Sequence, residues 1–228
     1  MLLTPEIIQI WVVHVAAEDN DRWTSLLSAG ERERKLRFRM PADQKRFAVT
    51  RGILRTLLSH YLSASPTEIE FTTNENGKPE VVGDLRFNVA HSGNYSLLAF
   101  ARNIELGVDV EHVRPDRATD DLTRRILTDV EYAHFQMLPL IDRGSTFFQI
   151  WTLKESVLKG IGSGLSIDPQ CIEIAFHPRE PSLLSSSSTQ LPTPTDWSLK
   201  SLLIGDDDYA AAIAAKHRSP AIELKHFE

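Results

Sequence analysis

The chain of 228 residues has a single cysteine, Cys171, which excludes an internal disulfide and points to a reducing compartment. Long apolar runs are missing too. The N-terminal stretch 7–15 is broken by Gln9 and His14 and follows no basic leader, so it reads as a first strand, not a signal peptide or membrane span. Cys/His zinc spacing, Gly-x-Ser-x-Gly and Walker sequences are all absent, and with them the chemistries they mark. Gly162-Ser-Gly164 closes a helical pattern instead of opening one, so it is no phosphate-cradling loop. What remains, 42% hydrophobic and 25% charged, is the composition of a globular protein of one large domain or two smaller ones. It is expected to be cytoplasmic.

The net charge of −6 conceals an asymmetry. Segment 31–55 holds nine Lys/Arg against three acids, a local +6, which leaves −12 for the rest. A basic cluster on an acidic chain suggests a localised anionic partner, or simply a solvated helix face; the acidic remainder argues against general nucleic-acid binding.

Apolar spacing predicts helices over 21–27, 29–39 (with Ser28 as N-cap) and 42–62. A short strand is expected at 68–72 and a turn at 74–77, after which Pro79 holds Lys78 in an extended loop. Strands 85–89 and 95–102 read as a hairpin whose connection, 90–94, contains His91. Helices are expected at 122–127, at 129–137 (capped by Thr128) and at 148–161, with Glu155 and Lys159 sharing one face of the last. A strand at 172–176, a Ser/Thr/Pro-rich surface loop at 181–196 and strands at 197–204 and 209–216 complete the chain. The segments 95–102 and 209–216 share a pattern that begins with tyrosine. This suggests two similar halves with a ligand cleft between them.

In 105–111, Val108 and Val110 alternate with Asp109 and Glu111, the period of a strand with its acids turned away from the core. Taken singly, these are a surface strand and, at Glu155 and Lys159, a surface ion pair. Taken together, three carboxylates, a lysine and a basic first half suit Mg²⁺ and a phosphorylated ligand.

Gly107-Val-Asp-Val-Glu111, followed by Trp151-Thr-Leu-Lys-Glu-Ser-Val-Leu-Lys-Gly-Ile-Gly-Ser-Gly-Leu165, resembles the paired signature of the 4′-phosphopantetheinyl transferases. Upstream, Gly77-Lys-Pro79 and Phe87-Asn-Val-Ala-His-Ser92 match in order, and the length is similar to that of the Sfp-type branch. The resemblance implies an α+β fold of two similar α/β subdomains in pseudo-twofold arrangement, here 1–104 and 105–228. It implies transfer of the phosphopantetheine arm of coenzyme A to a serine of acyl or peptidyl carrier proteins, with Mg²⁺ and release of 3′,5′-ADP, by a monomer needing neither nucleic acid nor membrane. The alternative is a non-catalytic coenzyme A or carrier-protein binding module.

By position, the resemblance makes Asp109, Glu111 and Glu155 the metal ligands and Glu155, Lys159 and His91 the catalytic groups. It gives Arg46, Arg51, Lys78, Pro79, His91, Ser92, Asp109 and Lys159 to coenzyme A, with Arg32 and Lys35 as alternatives for its 3′-phosphate. Ala90 departs from the family's usual serine.

Overall fold

The structure is a computed structural model and describes residues 3–163, 166–175, 181–186, 191, 193–205 and 208–227. Its strands are β1 (Ile7–His14), β2 (Thr72–Thr73), β3 (Pro79–Glu80), β4 (Leu85–Ser92), β5 (Tyr95–Arg102), β6 (Leu106–His112), β7 (Ile172–Ala175), β8 (Ser182–Ser186), β9 (Ser198–Ser201), β10 (Tyr209–Ala215) and β11 (Ala221–His226). The helices are α1 (Asn20–Ser25), α2 (Ala29–Leu36), α3 (Pro41–Leu62), α4 (Asp120–Ile126), α5 (Asp129–Met137) and α6 (Leu140–Ile161).

Alternating burial along the strands organises the fold. In β1 and β5, one set of side chains (Val13, Leu98, Phe100) packs with Val49, Ile53 and Leu57 of α3. The other set (Ile8, Ile10, Leu97, Ala99) packs with Val108, Val110, Ala211 and Ile213 of β6 and β10. The far face of β10, Ala212 and Ala214, meets Leu153, Val157 and Leu158 of α6. The result is an α+β arrangement of four layers: α3, the sheet β11-β1-β5-β4, the sheet β6-β10-β9, and α6. Strands that are buried on both faces explain why both sheets are so rich in Ala, Val, Ile and Leu there.

The two tyrosine-led segments are the central strands β5 and β10 of their sheets, and Tyr95 and Tyr209 meet edge-to-face at 4.8 Å. The closing strand β11 crosses back to pair in parallel with β1.

Three local expectations change. Residues 68–72 are not a strand. Pro66–Glu68 forms a 3₁₀ turn, Arg55 takes the carbonyls of Pro66 and Ile69, and only Thr72–Thr73 pairs, with Pro79–Glu80. His91 lies within β4, opposite Ser96, because the hairpin turns tightly at Gly93-Asn94. The Ser-rich stretch is not wholly loop: Leu183 buries, and Ser182–Ser186 pairs with β7. Phe176, Gly164 and parts of 181–196 lie outside the described residues. Among the described residues, no helix is long and apolar enough to cross a membrane.

Candidate active site

Glycine at 107 lets β6 lie directly against α6. A Cβ there would fall 2.1 Å from the Ser156 carbonyl oxygen and 2.2 Å from the Gly160 nitrogen. Two residues on, Asp109 therefore points into the β6–α6 seam and is only 3% exposed, contrary to the solvent-facing position that alternation alone suggests. The strand has no water face: Val108 and Val110 fill the layer between the sheets, and the helix covers the other side.

On α6, Glu155 and Lys159 face this seam. The Lys159 ammonium donates to Asp109 Oδ1 at 2.5 Å, so its partner is across the seam and not one helical turn back. Asp109 Oδ2 and Glu155 Oε1 are buried with no hydrogen-bond partner, an arrangement expensive for any carboxylate unless another group completes it. Burial pushes the Asp109 carboxyl up to about 7; Lys159 opposes the shift, while Glu111 and Glu155 add to it by repulsion. Burial also raises Glu155, against the pull of Lys159 and with a further push from Glu111. Glu111 sits half-buried at the end of β6, where its Oε2 accepts from the Ser92 hydroxyl at 2.8 Å.

These three carboxylates are the expected metal ligands. Among the described residues no three His, Cys, Asp or Glu side chains are already gathered around a common point, and Lys159 occupies one oxygen of Asp109. The donor set nevertheless suits a hard cation. It is all carboxylate, its members repel one another, and two of its oxygens are buried without a partner.

Beside the seam lies a cleft of about 820 Å³, walled by α2, α3 and the 67–79 segment and reaching Val89 and His91. His91 is exposed at the cleft by surface area, yet crowding of its ring away from water, and then repulsion from Arg46 and Lys159, lower its pKa. Pro79 lines the cleft as well.

The basic residues divide. Arg51 lines the cleft, 3.5 Å from Glu31 and stacked over Phe71 at 4.7 Å. Arg46 instead bonds the Gly93 carbonyl and Asp43 beside the β4–β5 turn. Arg32 and Lys35 bond Ser25 and Thr24, back toward α1. Arg34, which the sequence reading did not single out within the basic cluster, is exposed in the cleft and packs over Phe47.

Two sequence candidates hold structure together. Ser92 Oγ, besides donating to Glu111, accepts from the His112 amide, and Asn88 Oδ1 accepts from the Val108 amide. Each of these side chains of β4 thus bonds the backbone of β6 and joins the two sheets near the seam. Lys78, expected on a phosphate, buries its ammonium against the carbonyls of Gly160 (2.9 Å) and Leu106 (3.3 Å). Asn88 carried no signal in the sequence beyond lying inside a motif.

Acids and a lysine next to a cleft lined with arginine suit the class of proteins that handle phosphorylated ligands. Comparison narrows the class. Residues 105–214 match the 4′-phosphopantetheinyl transferase superfamily, and residues 15–103 match the 4′-phosphopantetheinyl transferase N-terminal region. The 4′-phosphopantetheinyl transferase HetI of Nostoc sp. is 37% identical over 194 residues, covering 82% of this chain and 78% of that protein. A 4′-phosphopantetheinyl transferase of Bacillus subtilis is 27% identical over 218 residues, 94% of each chain. Sfp from Bacillus subtilis strain 168 is 28% identical over 165 residues, 72% of each.

The chain belongs to the 4′-phosphopantetheinyl transferase family. It is an enzyme that moves phosphopantetheine from coenzyme A to a carrier protein.

Proposed function

We propose that the β6–α6 seam is where the phosphopantetheine arm of coenzyme A passes to a serine hydroxyl of an acyl or peptidyl carrier protein, with Mg²⁺ and with release of 3′,5′-ADP. The observation that carries this reading is the pair of unpartnered buried oxygens, Asp109 Oδ2 and Glu155 Oε1, beside Lys159. Asp109, Glu111 and Glu155 would hold the ion, and when bound it would supply neutralising charge to pyrophosphate oxygens.

The chain's own residues do the rest. The serine oxygen bonds to the phosphorus that carries the pantetheine arm, the bond from that phosphorus to the bridging oxygen breaks, and 3′,5′-ADP departs with the electron pair. Glu155 takes the serine proton from its place beside Lys159 on the seam. Lys159 neutralises charge that develops on the phosphate, and His91, at the cleft end of β4, donates to the pyrophosphate. Arg34 and Arg51 bind the anionic end of coenzyme A from the cleft wall. Arg46 adds positive field from the turn, and Pro79 gives the cleft a rigid edge. The enzyme works as a monomer in the cytoplasm.

The test is the intact mass of an apo carrier protein incubated with the chain, coenzyme A and Mg²⁺. One added phosphopantetheine, lost with chelator and restored by Mg²⁺, supports the reading. An unchanged mass across several carriers, with coenzyme A demonstrably bound, refutes it.

A further inference from the structure

The segment Asn74–Pro79 has two faces. Gly77 and Pro79 line the cleft, while the side chains of Asn74, Asn76 and Lys78 turn the other way, onto the end of α6. A helix end leaves four carbonyls without partners inside the helix, and here the supply of donors can be traced. Gly162, at φ 72°, closes a Schellman turn: the Ser163 amide returns to the Leu158 carbonyl and the Gly162 amide to the Lys159 carbonyl. The Gly160 carbonyl receives the Lys78 ammonium, and the Gly162 carbonyl receives both Asn74 and Asn76 amides at 3.1 and 3.0 Å. Lys78 also bonds the Leu106 carbonyl at the start of β6, at the point where Gly107 lets β6 touch the helix. Its positive charge sits at the negative end of the helix dipole. Asn74 Oδ1 in turn accepts the Lys78 and Asn76 amides, which holds the three side chains in one rigid loop.

Lys159 belongs to the turn so clamped, and its own carbonyl is part of the Schellman closure. We propose that Lys78, with Asn74 and Asn76, is a positioning element: it fixes the last turn of α6 against β6 so that Lys159 meets Asp109, and it ties that turn to the wall of the coenzyme A cleft. Lys78 itself does not bind the anion, because its ammonium is spent on the Gly160 and Leu106 carbonyls and on the Glu105 carboxylate at 3.8 Å. The inference rests on the proposed transfer site.

The experiment compares wild type with Lys78→Met, Lys78→Arg and Asn76→Ala, and reads three quantities. These are the kcat and KM for coenzyme A, the ratio of affinities for coenzyme A and its 3′-dephospho form, and amide hydrogen exchange in 158–163. A clamp predicts that Lys78→Met lowers kcat by about tenfold or more, with KM and the affinity ratio within about twofold of wild type. It also predicts faster exchange in the last turn of α6, partial rescue by Lys78→Arg, and the same trend, smaller, in Asn76→Ala. An anion ligand predicts the opposite split: affinity falls about tenfold, the preference for the 3′-phosphate disappears, and exchange is unchanged. That outcome, or unchanged kcat with unchanged exchange, overturns the proposal. If Lys78→Met does not fold, Lys78→Arg and Asn76→Ala carry the same comparison. A wild-type chain without transferase activity would refute the functional reading alone, since exchange in the loop variants still tests the clamp.

Discussion

Lys159 on α6 donates to Asp109 on β6 across a seam only as wide as Gly107 allows, and this pair binds the helix to the acidic strand. Asp109 is 4% exposed at its side chain while Lys159 is 29% exposed. The ammonium therefore keeps contact with solvent, whereas the carboxylate does not.

Gly107→Ala should separate the helix from the strand. The added methyl meets backbone atoms of Ser156 and Gly160, which cannot rotate away. A loss of about 3 kcal/mol in stability is expected from such overpacking, along with a fall in kcat, both read from denaturant titration and steady-state kinetics.

The pH dependence of the cation-free chain has a definite sign. The folded Asp109 carboxyl titrates at about 7 against 3.8 in a model compound, so the folded state holds that proton more tightly than the unfolded one. Its stabilising effect is complete below the unfolded value and is lost as pH rises through about 7. In chelator, urea midpoints should fall from about pH 5 to about pH 8, and Asp109→Asn should flatten the slope.

Lys154, next to Glu155 but turned inward, is wholly buried and pairs with Glu131 at 2.6 Å; Glu131 also accepts the Thr128 and Ile174 amides. Lys154→Met leaves a buried carboxylate without its cation and should lower stability by about 3–5 kcal/mol. A Lys154→Met, Glu131→Gln double variant should recover part of that loss, as thermal and urea unfolding would report.

Arg34→Ala should weaken coenzyme A binding about tenfold and reduce its salt dependence, since this guanidinium stands open in the cleft. Arg46→Ala should weaken it less, because its donors already serve Gly93 and Asp43. Titration calorimetry at two salt concentrations separates the two.

Much of the fold was legible because its elements obey local rules. Ser28 and Thr128 both form capping boxes, with Glu31 and Glu131, and the apolar spacing of α3 marks its core face. The segment at 68–72 misled because its alternation is real, yet Pro66–Glu68 winds into a 3₁₀ turn and Arg55 takes the Ile69 carbonyl. The acidic strand misled in another way. Period two separates two faces, but it does not say that a second layer covers one of them, and α6 is placed by contacts some fifty residues distant in sequence.

Lys78 shows the same limit at the site. A lysine between glycine and proline is presented stiffly in either direction, and only the position of Gly160 decides which one. Arg34 was hidden among eight other basic residues, most of which the fold spends on carbonyls and acids.

The most direct test of the β6–α6 seam as the transfer site is the rate at which Glu155→Gln modifies an apo carrier, measured by intact mass beside coenzyme A affinity. The account predicts a rate at least about a hundredfold below wild type with affinity nearly unchanged, as for loss of a proton acceptor. Transfer at close to the wild-type rate would contradict it.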